Sequence, residues 1–193
     1  MSNSRGWSLL EVLIAVTVAA VAGGLIINLL VSSGKLFVDQ SAQISQGLSL
    51  NQTQLELTEL IKSSSGIVSQ YPTQGTPQYI TDQNTLVVKL PGITSSGDVT
   101  DIFFDYAVIE ADFEKPAILR KQIFKDSQSF RKTENKVLSV NLKSLSFSYL
   151  DINNNAVTPD QALRVSFVIN LSTKSGFSEK ESSGSGTVNL KNI

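Results

Sequence analysis

From Val12 to Gly34 the chain carries no charged residue, and past that run its apolar positions thin to a repeat: Phe37, Ile44, Leu48, Leu55, Leu60 and Ile61. About 20 apolar residues in a helix cross a bilayer core. The later spacing of three, four and seven is helical. No proline interrupts before Pro72. The pattern therefore predicts one long helix from Trp7 to Ser64, with a membrane-spanning half at 7–34 and an amphipathic half at 35–64 whose stripe packs on a core. Such a helix would be roughly 85 Å long at 1.5 Å per residue.

The stretch "SSSGIVSQYPTQGTPQ" ends that regime, and residues 65–193 read as period-two strands. In "LSFSYL", Leu145, Phe147 and Tyr149 share a face opposite Ser144, Ser146 and Ser148; in "LRVSFVINL", Leu163, Val165, Phe167, Ile169 and Leu171 do the same. Asn153 to Asn155 and Pro159 supply turn chemistry between the two strands. Further strands are expected at Thr85–Leu90, Asp101–Val108, Ile118–Phe124 and Gly186–Leu190. A long helix followed by an antiparallel sheet is an α+β arrangement, in which the helix covers one sheet face.

Composition narrows the chemistry. The 193 residues suit one modest domain plus an extra element. Cysteine and histidine are both absent, which removes disulfides, thiolate chemistry, the usual transition-metal ligands and the commonest acid/base side chain. Sixteen basic against 17 acidic residues leave no electrostatic footprint for nucleic acid. Arg5 precedes the span, while Lys35 is balanced by Asp39 after it, so the charge bias favours a cytoplasmic N-terminus and an exported domain.

Glu11 is the anomaly, since an ionised carboxylate at a helix centre in lipid costs roughly 2.5–3.5 kcal/mol. One reading is a plain signal anchor, with Glu11 a first-turn residue favoured by the helix dipole. Another is a cleaved secretory signal ending at Ala20-Val21-Ala22, although "GGLIINLLV" keeps the chain apolar beyond that cut. Neither explains a glycine directly before an aromatic residue, with glutamate at the fifth place after the glycine.

Those residues, "G-W-S-L-L-E" at 6–11, resemble the N-terminal signal of type IV prepilins and type II secretion pseudopilins, usually Gly then Phe-Thr-Leu-Ile-Glu after a short polar leader. Trp7 stands where the family has Phe. The helix-kinking proline of the family is missing too, Asn28 standing near its place after the paired Gly23 and Gly24. The later strand order, "SFSYLD" and "VNLKN" look similar to the minor pseudopilin J and minor pilin W group, and implied with it is a pilin-like α+β fold.

The resemblance implies a leader at 1–6, cleavage between Gly6 and Trp7 by a prepilin peptidase, and methylation of the new Trp7 amine. Glu11 would then serve assembly by pairing with the amine of a neighbouring subunit, since buried charges are usually paired. Implied partners are other pilin or pseudopilin subunits, a membrane platform protein, an assembly ATPase and membrane lipid. The implied protein is a filament subunit of the cytoplasmic membrane and pilus or pseudopilus, not an enzyme. The alternative is a membrane-anchored or secreted binding module.

Asp151-Ile-Asn153-Asn-Asn155 matches the opening of a calcium loop, but Ala156 stands where Gly belongs and Ala162 where Glu belongs, which excludes an EF-hand. A looser calcium site from Asp151, Asn153, Asn155 and Asp160 is the remaining candidate, against a bare hairpin turn; no other cofactor is expected. The acidic stretch Asp101, Asp105, Glu110, Asp112 and Glu114 reads as a solvated face, with Ile102, Phe104 and Tyr106 turned inward. Asn51-Gln-Thr53 and Asn170-Leu-Ser172 match the short glycosylation pattern.

Overall fold

The computed structural model describes residues 8–76, 78–112, 114, 117–175 and 178–190. They divide into two compact units, separated after Gln43. Helix α1 (Leu9–Ser63) contributes 9–43 to the first and 44–63 to the second. The second unit holds all the strands: β1 (Gly66–Ile67), β2 (Gln70–Tyr71), β3 (Tyr79–Ile80), β4 (Thr85–Ile93), β5 (Val99–Asp112), β6 (Ile118–Phe124), β7 (Glu134–Val140), β8 (Leu142–Leu150), β9 (Arg164–Ser175) and β10 (Ser178–Asn189). The architecture is α+β and antiparallel throughout its pairings.

Where the sequence anticipates one sheet, the strands form two sheets and a ribbon: β1-β4-β5-β6-β7, β10-β9-β8 and β2-β3. Each larger sheet contains a meander, in which sequence neighbours pair. The chain changes sheets at a single residue, Asn141. Val140 still pairs with Ile118, Leu142 already pairs with Leu171, and Asn141 between them has φ 60°. Asparagine tolerates that left-handed conformation better than other side chains with a Cβ. Strand β7 has no counterpart in the sequence reading, because "ENKVLSV" alternates weakly, and β10 is far longer than the expected Gly186–Leu190.

In the second unit, the buried residues of α1 are Gln46, Leu50, Thr53, Leu57, Leu60 and Ile61, three or four apart along one face. Leu50, Leu57, Leu60 and Ile61 join Leu86, Val88, Ile109, Leu119, Phe147, Phe167 and Ile169 in one core that both sheets share. The stripe read from the sequence is therefore corrected. Phe37, Ile44, Leu48 and Leu55 are exposed, and of that set only Leu60 and Ile61 enter the core. At about 100° per residue, Ile44, Leu48 and Leu55 fall on a line opposite the buried face. Both faces carry apolar residues at helical spacing, so periodicity alone could not choose between them.

Polar contacts fix the docking. Thr53 Oγ1 donates to Leu138 O at 2.9 Å, and Gln54 Nε2 donates to Ser185 O at 3.1 Å. Glu56 pairs with Lys136 of β7 and, at 3.5 Å, with Lys121 of β6. Glycines in β10 make room: a Cβ on Gly184 would stand 2.6 Å from Gln54 Nε2, and one on Gly186 2.6 Å from the buried Phe167 ring.

On the other face of the larger sheet, Val87 and Val108 oppose each other and are fully buried. Along β5 the residues Tyr106 and Val108 share that face by alternation. There Tyr71 of the ribbon stacks on Phe124 at 4.7 Å and tilts on Tyr106 at 5.1 Å. The sheet is thus covered on both sides, which defeats the inward and outward assignment made for β5. Asp105, expected in solvent, is fully buried, whereas Ile102, expected inside, is 86% exposed.

Two outcomes test this docking in the full chain in detergent micelles. Leu57→Ala should lower stability by about 2–5 kcal/mol in denaturant unfolding, while Leu55→Ala should stay within about 0.5 kcal/mol of wild type. Equal losses would mean the helix face is assigned wrongly. Burial raises the Glu56 carboxyl, but the hydrogen bond from Lys136 and the charges of Lys121 and Lys136 outweigh it and hold the group below the ordinary glutamate value. A depressed carboxylate favours folding above its unfolded pKa, and that contribution is lost as pH falls through the folded value. Glu56→Gln should accordingly cost under about 1 kcal/mol at neutral pH, with the gap to wild type closing as pH drops below about 4.3.

Candidate functional site

From Leu9 to Gln43 the first unit is helix, with its apolar side chains outward. Its most apolar 18-residue window has mean hydropathy 2.4 and no buried residue. Leu10, Leu13, Ile14, Leu25, Ile26, Leu29 and Leu30 are all exposed. Fully burying one leucine-sized side chain is worth about 1.5–3 kcal/mol. A helix this long and apolar can cross a membrane, and no charge opposes it between Val12 and Gly34. Gly23 and Gly24 are helical, with nothing within 4 Å of where a Cβ would stand.

Gly6 and Trp7, the processing positions, lie outside the described residues. Glu11 is described, and the structure gives it a local role that sequence reasoning missed. Ser8 N–H donates to Glu11 Oε2 at 2.9 Å, and Glu11 N–H donates to Ser8 Oγ at 3.2 Å. This is a reciprocal capping box, which satisfies two of the backbone donors that a helix start leaves open. The signal was available in the chain, as S-x-x-E before an apolar run. The carboxylate also sits at the positive end of the helix dipole.

The Asp151 turn closes on itself. Asp151 Oδ1 accepts from the Asn153 and Asn155 N–H groups, both at 2.8 Å, and Oδ2 accepts from Asn155 Nδ2 at 2.9 Å. Asn154 has φ 66°, and its Oδ1 accepts from Arg164 at 2.8 Å. The hydrogen bonds from the Asn155 side chain and backbone hold the Asp151 carboxyl below its ordinary value. Asp160 stands instead in a short 3₁₀ turn, Pro159–Gln161. Among the described residues no group of three or more acidic side chains is placed to hold an ion. The donors around Asp151 do the work of a hairpin turn.

Asp105 likewise has its oxygens engaged. Oδ1 accepts from Asp126 N–H at 2.8 Å, while Oδ2 accepts from Ser129 Oγ at 2.8 Å and Arg131 Nε at 2.7 Å. Arg131 also donates to Pro91 O at 2.7 Å. A fully buried carboxylate persists because it is paired and hydrogen-bonded. The cluster ties the loop between β6 and β7 to β4 and β5, and Asp101 stays exposed, so the two aspartates make no catalytic pair. Neither glycosylation match offers a free loop: Thr53 is buried in α1, and Asn170, within β9, donates to Ser144 Oγ at 2.7 Å.

The chain is an α+β protein whose N-terminal helix is long and apolar enough to cross a membrane. No protein-family model matches it, and no curated protein does either.

Removing one partner of a buried ion pair strands the other. Asp105→Ala should therefore lower stability by about 3–5 kcal/mol, read from the denaturant midpoint, and should expose the 126–131 loop to limited proteolysis. A loss within about 0.5 kcal/mol, the range of ordinary surface changes, would show that the pair does not hold the loop.

Proposed function

We propose that this chain is a minor pilin or pseudopilin, a structural subunit of a type IV pilus or type II secretion-like filament, anchored in the cytoplasmic membrane by α1. The observation that carries the reading is the division of labour along α1: an apolar N-terminal part without a buried side chain, and a part past Ile44 docked on the sheets. The first part is built to be covered by something other than its own domain. Lipid covers it before assembly, and neighbouring subunits cover it afterward.

In this reading a prepilin peptidase cuts between Gly6 and Trp7 and the Trp7 amine is methylated. The cut leaves both Ser8 and Glu11 on the mature chain, so the carboxylate capped at the helix start remains available to a neighbour's amine. A platform protein and an assembly ATPase move the subunit into the filament. The protein is a building element rather than a catalyst.

The capping box favours a second reading, because it accounts for Glu11 with no partner at all. On that view α1 is a plain anchor for a binding module. Intact mass and N-terminal sequencing of the protein from its native host separate the two. The filament reading expects a chain starting at methylated Trp7, with Glu11→Ala processed normally yet depleted from filaments. A start at Met1 or Ser2 would instead establish the plain anchor, and one at Gly23 a secreted module.

A further inference from the structure

Three of the chain's four tyrosines meet in one cluster. Tyr71 and Tyr79 stand opposite each other in the β2-β3 ribbon, and Tyr106 stands opposite Phe124 in the larger sheet. Tyr71 lies against both Phe124 and Tyr106, while Tyr79 tilts on Phe124 with ring centres 5.8 Å apart. Val87 and Val108 on the same sheet face are fully buried, yet all four rings are only half-buried. The rings brace one another, so a ligand meets a surface already fixed in place.

The polar groups around the rings share one character. No charged residue occurs from Ser63 to Thr81, and within that run Thr73, Gln74, Thr76 and Gln78 are exposed. Gln78 Nε2 donates to the Tyr79 hydroxyl at 3.3 Å, which donates in turn to Gln122 Oε1 at 3.3 Å. Burial first, and then the nearby Tyr106 and Tyr79 phenols, hold the Tyr71 hydroxyl above the ordinary tyrosine value, so it remains a neutral donor. Ile80, the exposed aliphatic side chain of the run, pairs with Gln70 and by alternation takes the ribbon's other face. Lys89 stands opposite Tyr106, with its ammonium over the Phe104 ring at 3.5 Å.

We infer that this cluster is a binding platform for a neutral glycan. A pyranose presents C–H groups on its flat faces and hydroxyls round its rim, and carries no charge. The C–H groups suit the negative face of an aromatic ring. The hydroxyls both give and take hydrogen bonds, as the side-chain amides and threonine hydroxyls beside the rings also do. A protein partner would require a closely packed apolar core at the contact, and nucleic acid would require cations along the platform. Thr73, Gln74, Thr76 and Gln78 supply neither. The inference uses no residue of α1 and stands apart from the filament reading.

Calorimetric titration of the full chain with oligosaccharides of cellulose, chitin and starch tests the platform, in phosphocholine micelles, whose headgroup is not a sugar. At least one of the three should bind. Tyr79→Ala should weaken that binding about tenfold or more. Gln78→Ala, at an exposed position, should weaken it about two- to tenfold and leave thermal unfolding unchanged. Where Tyr79→Ala also lowers the unfolding temperature, Gln78→Ala decides alone. Binding of none of the three, binding untouched by Gln78→Ala, or equal or tighter binding of a thymidine oligonucleotide would each overturn the inference. A chain that still begins at Met1 and binds through Tyr79 and Gln78 would uphold it while removing the processing pathway.

Discussion

Burial of Leu50, Leu57, Leu60 and Ile61 against both sheets is the constraint on which the second unit depends. Without α1 the inner faces of β4, β5, β8 and β9 would lie open, since antiparallel sheets need a covering layer. The sheets in turn are shaped to receive the helix. Gly184 and Gly186 remove the side chains that would collide with Gln54 and Phe167, and Lys121 and Lys136 meet Glu56 from neighbouring strands. Thr53, buried in the docked face, has two backbone acceptors in reach of its hydroxyl, Ser49 O of its own helix and Leu138 O of β7.

The polar interior is organised on the same logic. Asp105 costs little where it stands because three donors and the Arg131 charge converge on it. They convert a loop of small and charged residues into a fixed connection between β6 and β7. Tyr149 makes a comparable link, its hydroxyl donating to Asp82 O at 2.7 Å, with burial holding its pKa above the ordinary tyrosine value. The ribbon β2-β3 closes the opposite face of the larger sheet through Tyr71 and Tyr79.

Function, on the proposed reading, follows from a helix asked to serve two solvents. Its N-terminal part is stabilised by apolar surroundings and capped by Ser8 and Glu11 at the point where backbone donors would otherwise be stranded. Past Ile44 one face belongs to the domain and the other faces outward with apolar side chains. The cap engages one carboxylate oxygen in the single subunit, so pairing across subunits would add a cation to a carboxylate the helix start already holds in place.

The sequence by itself determined the elements whose signals are local. The uncharged run at 12–34, the helix ending near Ser63, the strands at 118–124 and 163–171, and the turn at Asn153–Asn155 all follow from spacing, charge and turn chemistry within a few residues. The Ser8–Glu11 cap was equally legible as a four-residue pattern. Tertiary structure alone decided which face of α1 is buried, because Leu48 and Leu55 are as apolar as Leu50 and Leu57 and only the approaching sheets distinguish them. It also decided that Asp105 goes inside. That residue's neighbours along the strand say nothing of Ser129 and Arg131, more than twenty positions away, whose donors make burial of a charge possible.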